Sequence, residues 1–260
     1  MKKYDLMVIG MGPAGMAVSA MGAAMGLSVV SFEKHKVGGE CLNCGCIPSK
    51  ALLKAGQALH TARNLEKYGI TAELTLNDFD PMGVVRTKID NINNKKMMSV
   101  FEKVHLVREE AEFIDDRTVH AGGEDYTAKK IFIGAGTEPF IPPIPGIKEV
   151  PDILTNTNMF QLEKMPVTLT IIGGGAIGSE MAQAFTRLGT KVSMIHMDPH
   201  LVPVGDAEAA QVLEETFRNE GITVHNGAKI ESASMEDGQV VVRAGKVVLK
   251  SERLLVAAGR

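Results

Sequence analysis

Residues 38–50 read GGECLNCGCIPSK and hold all three cysteines of the chain, Cys41, Cys44 and Cys46, within six residues. Core cysteines scatter through a sequence, so thiols gathered this way mark a site for redox chemistry or for a metal. Zinc wants four ligands, and C-x-x-C-x-C supplies three with no fourth cysteine and no histidine at finger spacing. A dithiol is therefore the better reading, and no metal is assigned. Pro48 and Ser49 read as the start of a helix running through residues 51–65. That start places Cys46 beside exposed backbone N–H groups, which favour a thiolate.

A dithiol needs an electron source, and two glycine-rich stretches have the spacing to hold one. Residues 4–9 read as a short apolar strand, Gly10-Met11-Gly12-Pro13-Ala14-Gly15 as a turn, residues 13–25 as a helix closed by Gly26, and residues 27–32 as a second strand. Glu33 ends that strand, 18 residues past the last glycine. A lone G-x-G-x-x-G is weak, but strand, turn, helix, strand and acid in this order form a dinucleotide-binding unit. Gly10 permits the turn, Gly12 lets backbone N–H groups reach a pyrophosphate, Gly15 lets helix and strand close up, and Glu33 accepts from ribose hydroxyls. The plan recurs with a strand at 168–172, the turn Gly173-Gly174-Gly175-Ala176-Ile177-Gly178, a helix at 176–188 and a strand at 191–195. His196 again stands 18 residues past the last glycine.

An antiparallel meander follows each unit. The first spans 111–133 and ends at Gly134-Ala135-Gly136; the second spans 229–249, turns at Asp237-Gly238, and is followed by residues 254–259. Two copies in matching order imply two nucleotides, set so that hydride can pass between them. The fold class expected is α/β, with two Rossmann-like dinucleotide-binding domains, each a parallel sheet with a small antiparallel meander. Residues 51–107 read as helical with a break at 68–81, and the polar stretch 91–96 as a solvated face. Five prolines in residues 139–151 read as a linker, dividing the chain into domains 1–150 and 151–260.

At 260 residues and 45% apolar content, the chain can bury a core in two domains. A net charge of −3 gives no basic footprint for nucleic acid or an anionic membrane. Lys2 and Lys3 before an apolar run mimic a secretory leader, but Asp5, Gly10, Gly12 and Pro13 interrupt it, and cleavage would delete the first glycine turn. The reading is therefore cytoplasmic, where a dithiol can cycle.

The cysteine segment, together with both glycine turns, resembles the pyridine nucleotide-disulfide oxidoreductases, and its C-I-P-S-K ending is most similar to their dihydrolipoamide dehydrogenase branch. The resemblance implies that Cys41 and Cys46 form the active disulfide, Cys41 exchanging with substrate and Cys46 facing a flavin. Cys44 stands where the family carries valine or threonine, as a small filler or as a second partner. The resemblance further implies FAD on the first unit and NAD on the second. It assigns Gly10, Gly12, Pro13, Ala14, Gly15, Glu33, Lys34, Gly39, Glu40, Lys50, Ala111, Ala135 and Gly136 to nucleotide contacts in the first part. In the second it assigns Gly173, Gly175, Ala176, Ile177, Gly178, His196, Ile230 and Gly259. Lys50 and Glu180 match a catalytic pair beside the reactive flavin nitrogen. NAD-binding relatives carry an acid where His196 stands, NADP would call for arginines, and residues 197–203 hold no Arg or Lys. NAD is favoured over NADP. The alternative for His196 is an exposed strand-end histidine without a ligand.

Two function classes follow. One is an enzyme, or part of one, passing electrons between NADH, FAD, the disulfide and a small-molecule disulfide or dithiol such as lipoamide, with mercuric reductase the nearest rival. The other is a nucleotide-binding redox module without turnover. Relatives in the family are homodimers whose dimerisation domain carries a His and Glu acid–base pair. None of the seven histidines here matches it, so a fragment or a curtailed activity is expected.

Overall fold

The computed structural model describes residues 1–93 and 98–260. In chain order the strands and helices are β1 (Lys2–Ile9), α1 (Pro13–Ala24), β2 (Val29–Phe32), α2 (Gly39–Asn43), α3 (Cys46–Arg63), α4 (Pro81–Asn93), β3 (Val104–Val107), β4 (Glu112–Phe113), β5 (Thr118–Ala121) and β6 (Glu124–Ile133). There follow β7 (Thr168–Ile172), α5 (Ala176–Arg187), β8 (Lys191–Ile195), α6 (Ala207–Asn219), β9 (Thr223–His225), β10 (Ser232–Glu236), β11 (Gln239–Ala244), β12 (Val247–Ser251) and β13 (Arg253–Val256). The fold is mixed α/β, with parallel sheets and antiparallel strands. The chain divides into two compact units, Met1–Pro48 with Thr87–Thr137, and Ser49–Arg86 with Glu138–Arg260.

In the first unit a six-stranded sheet runs β3-β2-β1-β6-β5-β4. The strands β3, β2, β1 and β6 are parallel, and β6, β5 and β4 antiparallel, so β6 belongs to both patterns. The first meander is thus the outer half of one continuous sheet. Alternation on β1 sends Met7 into a cluster with Val30, Phe32, Val107 and Tyr126, and Val8 into the opposite cluster with Met11, Ala23, Val29 and Val104. Burial on both faces explains why β2 is apolar throughout apart from Ser31, whose hydroxyl meets that of Ser19 on α1 at 2.8 Å. The helical reading of 51–107 fails at β3, which pairs parallel with β2. A four-residue buried strand carries no period that separates it from a helix. The break at 68–81 is present, since residues 69–80 are exposed and lack regular structure. The polar stretch 91–96 falls partly on residues 94–97, outside the described residues.

The second unit has a parallel sheet ordered β13-β7-β8-β9 and a separate antiparallel sheet β10-β11-β12. The β10–β11 turn is made by Asp237 (φ 50°) and Gly238 (φ 76°), the left-handed pair that a two-residue hairpin demands. The stretch 139–151 is not a free linker. Ile147 and Val150 enter the core with Ile195, Val242 and Leu254, and the Pro145 carbonyl accepts from the Ala233 N–H at 2.9 Å. Proline bars the stretch from a sheet ladder but not from packing its apolar side chains.

Candidate active site

Gly38 and Gly39 both take left-handed conformations, turning the chain from β2 into α2. A Cβ on Gly39 would lie 2.7 Å from the Cα of Gly12, so the cysteine segment rests backbone to backbone on the first glycine turn. The Gly38 N–H donates to the Met11 carbonyl at 2.8 Å, and the Asn43 amide to the Gly39 and Val37 carbonyls. The α2 turn places Cys41 inside a short helix, a feature absent from the sequence-based reading. The next helix starts at Cys46 rather than at Pro48. Pro48 then sits in the first turn, where its missing N–H would have no helical acceptor. Cys46 consequently lies within the first turn of α3 rather than ahead of it.

All three cysteines are unbridged thiols. A hydrogen bond between the Cys41 and Cys46 thiols, with burial adding to it, raises the pKa of Cys41; burial raises that of Cys44, with Lys36 opposing. The pair brought into contact is therefore Cys41 and Cys46.

The two glycine turns are copies in detail. A Cβ on Gly10 (φ 92°) would meet the Gly134 carbonyl oxygen at 2.4 Å, and one on Gly173 (φ 116°) the Ala257 carbonyl oxygen at 2.2 Å. The Gly134 N–H donates to the Ile9 carbonyl at 2.7 Å, and the Ala257 N–H to Ile172 at 2.8 Å. Residues 134–136 thus do for the first turn what residues 257–259 do for the second. The residues heading α1 and α5, Gly12 and Gly175, have φ, ψ of −71°, −175° and −72°, −174°, with no side-chain cap on either helix. Nothing lies within 4 Å of a Cβ built on Gly175, and only the Gly39 Cα, at 4.0 Å, near one on Gly12. Open space before an uncapped helix start fits a dinucleotide pyrophosphate at both turns. Pro13, Ala14 and Gly15, and Ala176, Ile177 and Gly178, form these helix starts.

Glu33 is buried, Oε2 accepting from the Met11 N–H of the glycine turn and Oε1 from the His35 N–H just past β2, each at 2.9 Å. Lys34 pairs with Glu110 at 2.8 Å. Ala111 lines a hollow of about 310 Å³ with Glu112, His120 and Gly122. Glu40 stands in the first turn of α2, and Ile230 packs against the second unit's core.

His196 is 4% exposed, which overturns the picture of an exposed strand-end histidine. A Cβ on Gly174 would strike its ring at 2.7 Å, so a glycine-only turn makes room for it. Its Nε2 meets the Asn226 Oδ1 at 2.8 Å, and the Asn226 amide donates to the Glu214 Oε1 at 2.7 Å. Asn226 presents its oxygen to Nε2, while the buried Nδ1 has no hydrogen-bond partner among the described residues and faces the Asp198 carboxylate at 3.9 Å. Glu214 and Asn226 are members the sequence reading missed. The signal for the helix carrying Glu214 was Asp206, whose Oδ1 accepts from the Glu208 and Ala209 N–H groups.

Burial pushes the Glu214 carboxyl up, but bonds from the Leu201 N–H, Asn226 and Arg218 outweigh it and hold the pKa below the ordinary value. A depressed carboxylate stabilises the fold above its unfolded pKa of about 4.3, and this contribution is lost as pH falls through the folded value. Glu214→Gln is expected to cost about 2 kcal/mol at pH 7. The difference from the unaltered protein should shrink below about pH 4. Urea midpoints at the two pH values check this.

Lys50 Nζ lies 2.5 Å from Glu180 Oε1, so residues 130 apart in sequence form the pair that the resemblance implies. Among the described residues no group of three or more His, Cys, Asp or Glu is arranged to hold a metal. No helix among the described residues is long and apolar enough to cross a membrane.

A family model described as pyridine nucleotide-disulphide oxidoreductase matches residues 4–260. The chain belongs to this family. A dihydrolipoyl dehydrogenase of Thermus scotoductus is 37% identical across the whole chain, which covers 58% of that protein. A mercuric reductase of Lysinibacillus sphaericus is 32% identical over 99% of the chain and 48% of its own length. Among solved structures of this disulfide reductase type, the HOCl-induced flavoprotein disulfide reductase RclA from Escherichia coli superposes with a TM-score of 0.86 at 28% identity. The match covers 99% of the chain and 57% of that protein. The chain thus spans about half the length of these relatives.

Proposed function

We propose that this oxidoreductase passes two electrons between NADH and a small disulfide or dithiol through FAD and the Cys41 and Cys46 pair, in the manner of a dihydrolipoyl dehydrogenase. In this proposal residues 1–150 carry FAD and residues 151–260 NAD, and the protein works in the cytoplasm. The observation that carries it is the pair of glycine turns with matching backbone angles and contacts, both open at the helix start, with a thiol pair seated on the first.

FAD, when bound, supplies the two-electron chemistry that links a nicotinamide to a disulfide. The chain's own residues do the rest. The Gly12 and Gly175 turns offer backbone N–H groups to the pyrophosphates. Glu33 holds the first turn in shape through Met11. In the net reaction NADH and a proton convert the Cys41–Cys46 disulfide to two thiols, and Cys41 then exchanges with the substrate disulfide.

The second turn favours NADH over NADPH. The Asp198 carboxylate, half exposed and 3.9 Å from the His196 Nδ1, repels a 2′-phosphate dianion and can accept from a ribose hydroxyl. NADH is expected to bind at least about tenfold more tightly than NADPH at pH 8, since the phosphate finds no cation. Calorimetric titration measures this, and equal affinities would overturn the assignment. The function as a whole is tested by loading the chain with FAD and adding NADH without oxygen. Opening of the disulfide by the first NADH per chain, with bleaching of the flavin only at a second, supports it; a bound flavin and a disulfide that NADH leaves oxidised remove it.

The mercuric reductase alternative rests on the second relative above. Mercuric ion and a small organic disulfide, offered to the reduced protein in turn, separate the two substrates.

A further inference from the structure

The helix that begins at Cys46 and the helix that begins at the second glycine turn are joined at two levels with the same spacing. Lys50 on α3 meets Glu180 on α5 at 2.5 Å, and seven residues further along each helix the Arg187 Nη1 donates to the Gln57 Oε1 at 2.6 Å. Equal steps in the same direction mean that the helices run parallel. Seven residues are nearly two turns, so the two rungs share one face of each helix about 10 Å apart. Between them stands Gly56. A Cβ there would lie 3.3 Å from both the Ala184 carbonyl oxygen and the Arg187 Cβ, tight enough to push the helices apart by a few tenths of an ångström. The Arg63 Nη1 adds a weaker bond to the Arg187 carbonyl at 3.3 Å.

The rungs differ in strength. The upper pair is exposed, with side chains 62% and 34% accessible. Such a pair is too weak to hold two helices in register by itself. The lower rung is anchored. Arg187 and Glu220 are 13% and 11% accessible, and the guanidinium binds the carboxylate through both Nε (2.8 Å) and Nη2 (2.6 Å). The Gln183 amide donates to the same carboxylate at 3.0 Å. Arg187 thus has its plane fixed from one side by Glu220 and offers its remaining edge to Gln57. A helix is stiff over two turns, so fixing Gln57 fixes where Lys50 can reach.

We propose that Arg187, braced by Glu220, is a positioning residue that sets the register of α3 on α5 and thereby holds the Lys50 ammonium on the Glu180 carboxylate. The value of that pair to the reaction rests on the function proposed above; the alignment does not. Lys50 is held in this way on the helix that starts at the second glycine turn.

Zero-length cross-linking with a carbodiimide reads the alignment directly, because an isopeptide forms only where amine and carboxylate touch. The Lys50–Glu180 product is quantified by peptide mass spectrometry against the Lys2–Glu124 product, a pair at 2.6 Å that belongs to the first unit. Arg187→Met is expected to lower the Lys50–Glu180 yield about fivefold while the reference product is unchanged. Arg187→Lys should restore it only in part, because an ammonium cannot serve Glu220 and Gln57 in one plane. Gln57→Leu leaves the Arg187 and Glu220 pair intact and keeps the test available should Arg187→Met fail to fold; about a twofold loss is expected. An unchanged yield in both variants, or an equal fall in both products, overturns the proposal. A selective loss of the isopeptide with an unaltered rate of flavin reduction by NADH leaves the alignment standing and removes Lys50 and Glu180 from the reaction.

Discussion

When the oxidised, FAD-loaded protein is treated with NADH in the absence of oxygen, two thiols per chain are expected to appear, and none after Cys41→Ser or Cys46→Ser. Cys44→Ser should still gain two. The expectation rests on the contact between the Cys41 and Cys46 thiols across the bend from α2 to α3. That bend has no room for a side chain at Gly45, whose Cβ would come within 3.0 Å of the Glu40 carbonyl oxygen. Cys44 closes α2, its N–H donating to that same carbonyl at 2.8 Å, and burial makes it a poorer thiolate. Removing a reacting thiol should reduce turnover of a disulfide substrate by on the order of 10⁴-fold, whereas Cys44→Ser should change it about twofold. Thiol titration before and after NADH, with peptide mapping of the oxidised form, gives the answer. A Cys44→Ser protein that gains no thiols would place Cys44 in the redox pair.

How much of this was legible in the sequence follows from what set each feature. The glycine turns were legible because the contact that closes each is local: Gly15 and Gly178 stand where any Cβ would strike the carbonyl oxygen of Gly10 or Gly173 within the same turn. So were the strands that follow those turns, and the Asp237-Gly238 hairpin. The four residues of β3 were not, since only pairing with β2 makes them a strand. The short α2 was missed because a five-residue helix has no period of its own and depends on Gly38, Gly39 and their seat on Gly12. The contact of Lys50 with Glu180 came from resemblance alone. No local pattern predicts a meeting across 130 residues, and the buried tie of Arg187 to Glu220 was out of reach for the same reason. The burial of His196 depends on a ring fitting over Gly174, which spacing does not reveal.

The second large effect separates what the glycine turns do for the fold from what they do for a ligand. In Gly178→Ala the new methyl would lie 2.1 Å from the Gly173 carbonyl oxygen, so α5 must move off the turn by about 1 Å, against its packing on the parallel sheet. A loss of about 3 kcal/mol in stability is expected, with nucleotide binding falling in consequence. Gly175→Ala makes the opposite demand. Its φ of −72° suits any residue, and the added methyl meets no atom within 4 Å, so stability should stay within about 1 kcal/mol of the unaltered protein. The methyl does, however, project into the open space before the α5 N-terminus, where a pyrophosphate must approach the backbone closely. NADH affinity is therefore expected to fall more than about tenfold in Gly175→Ala, with FAD retention unchanged because the first turn is untouched. Urea unfolding and calorimetric titration on the two variants make the comparison. Unchanged NADH binding by a stable Gly175→Ala protein would show that the second turn, for all its likeness to the first, holds no dinucleotide.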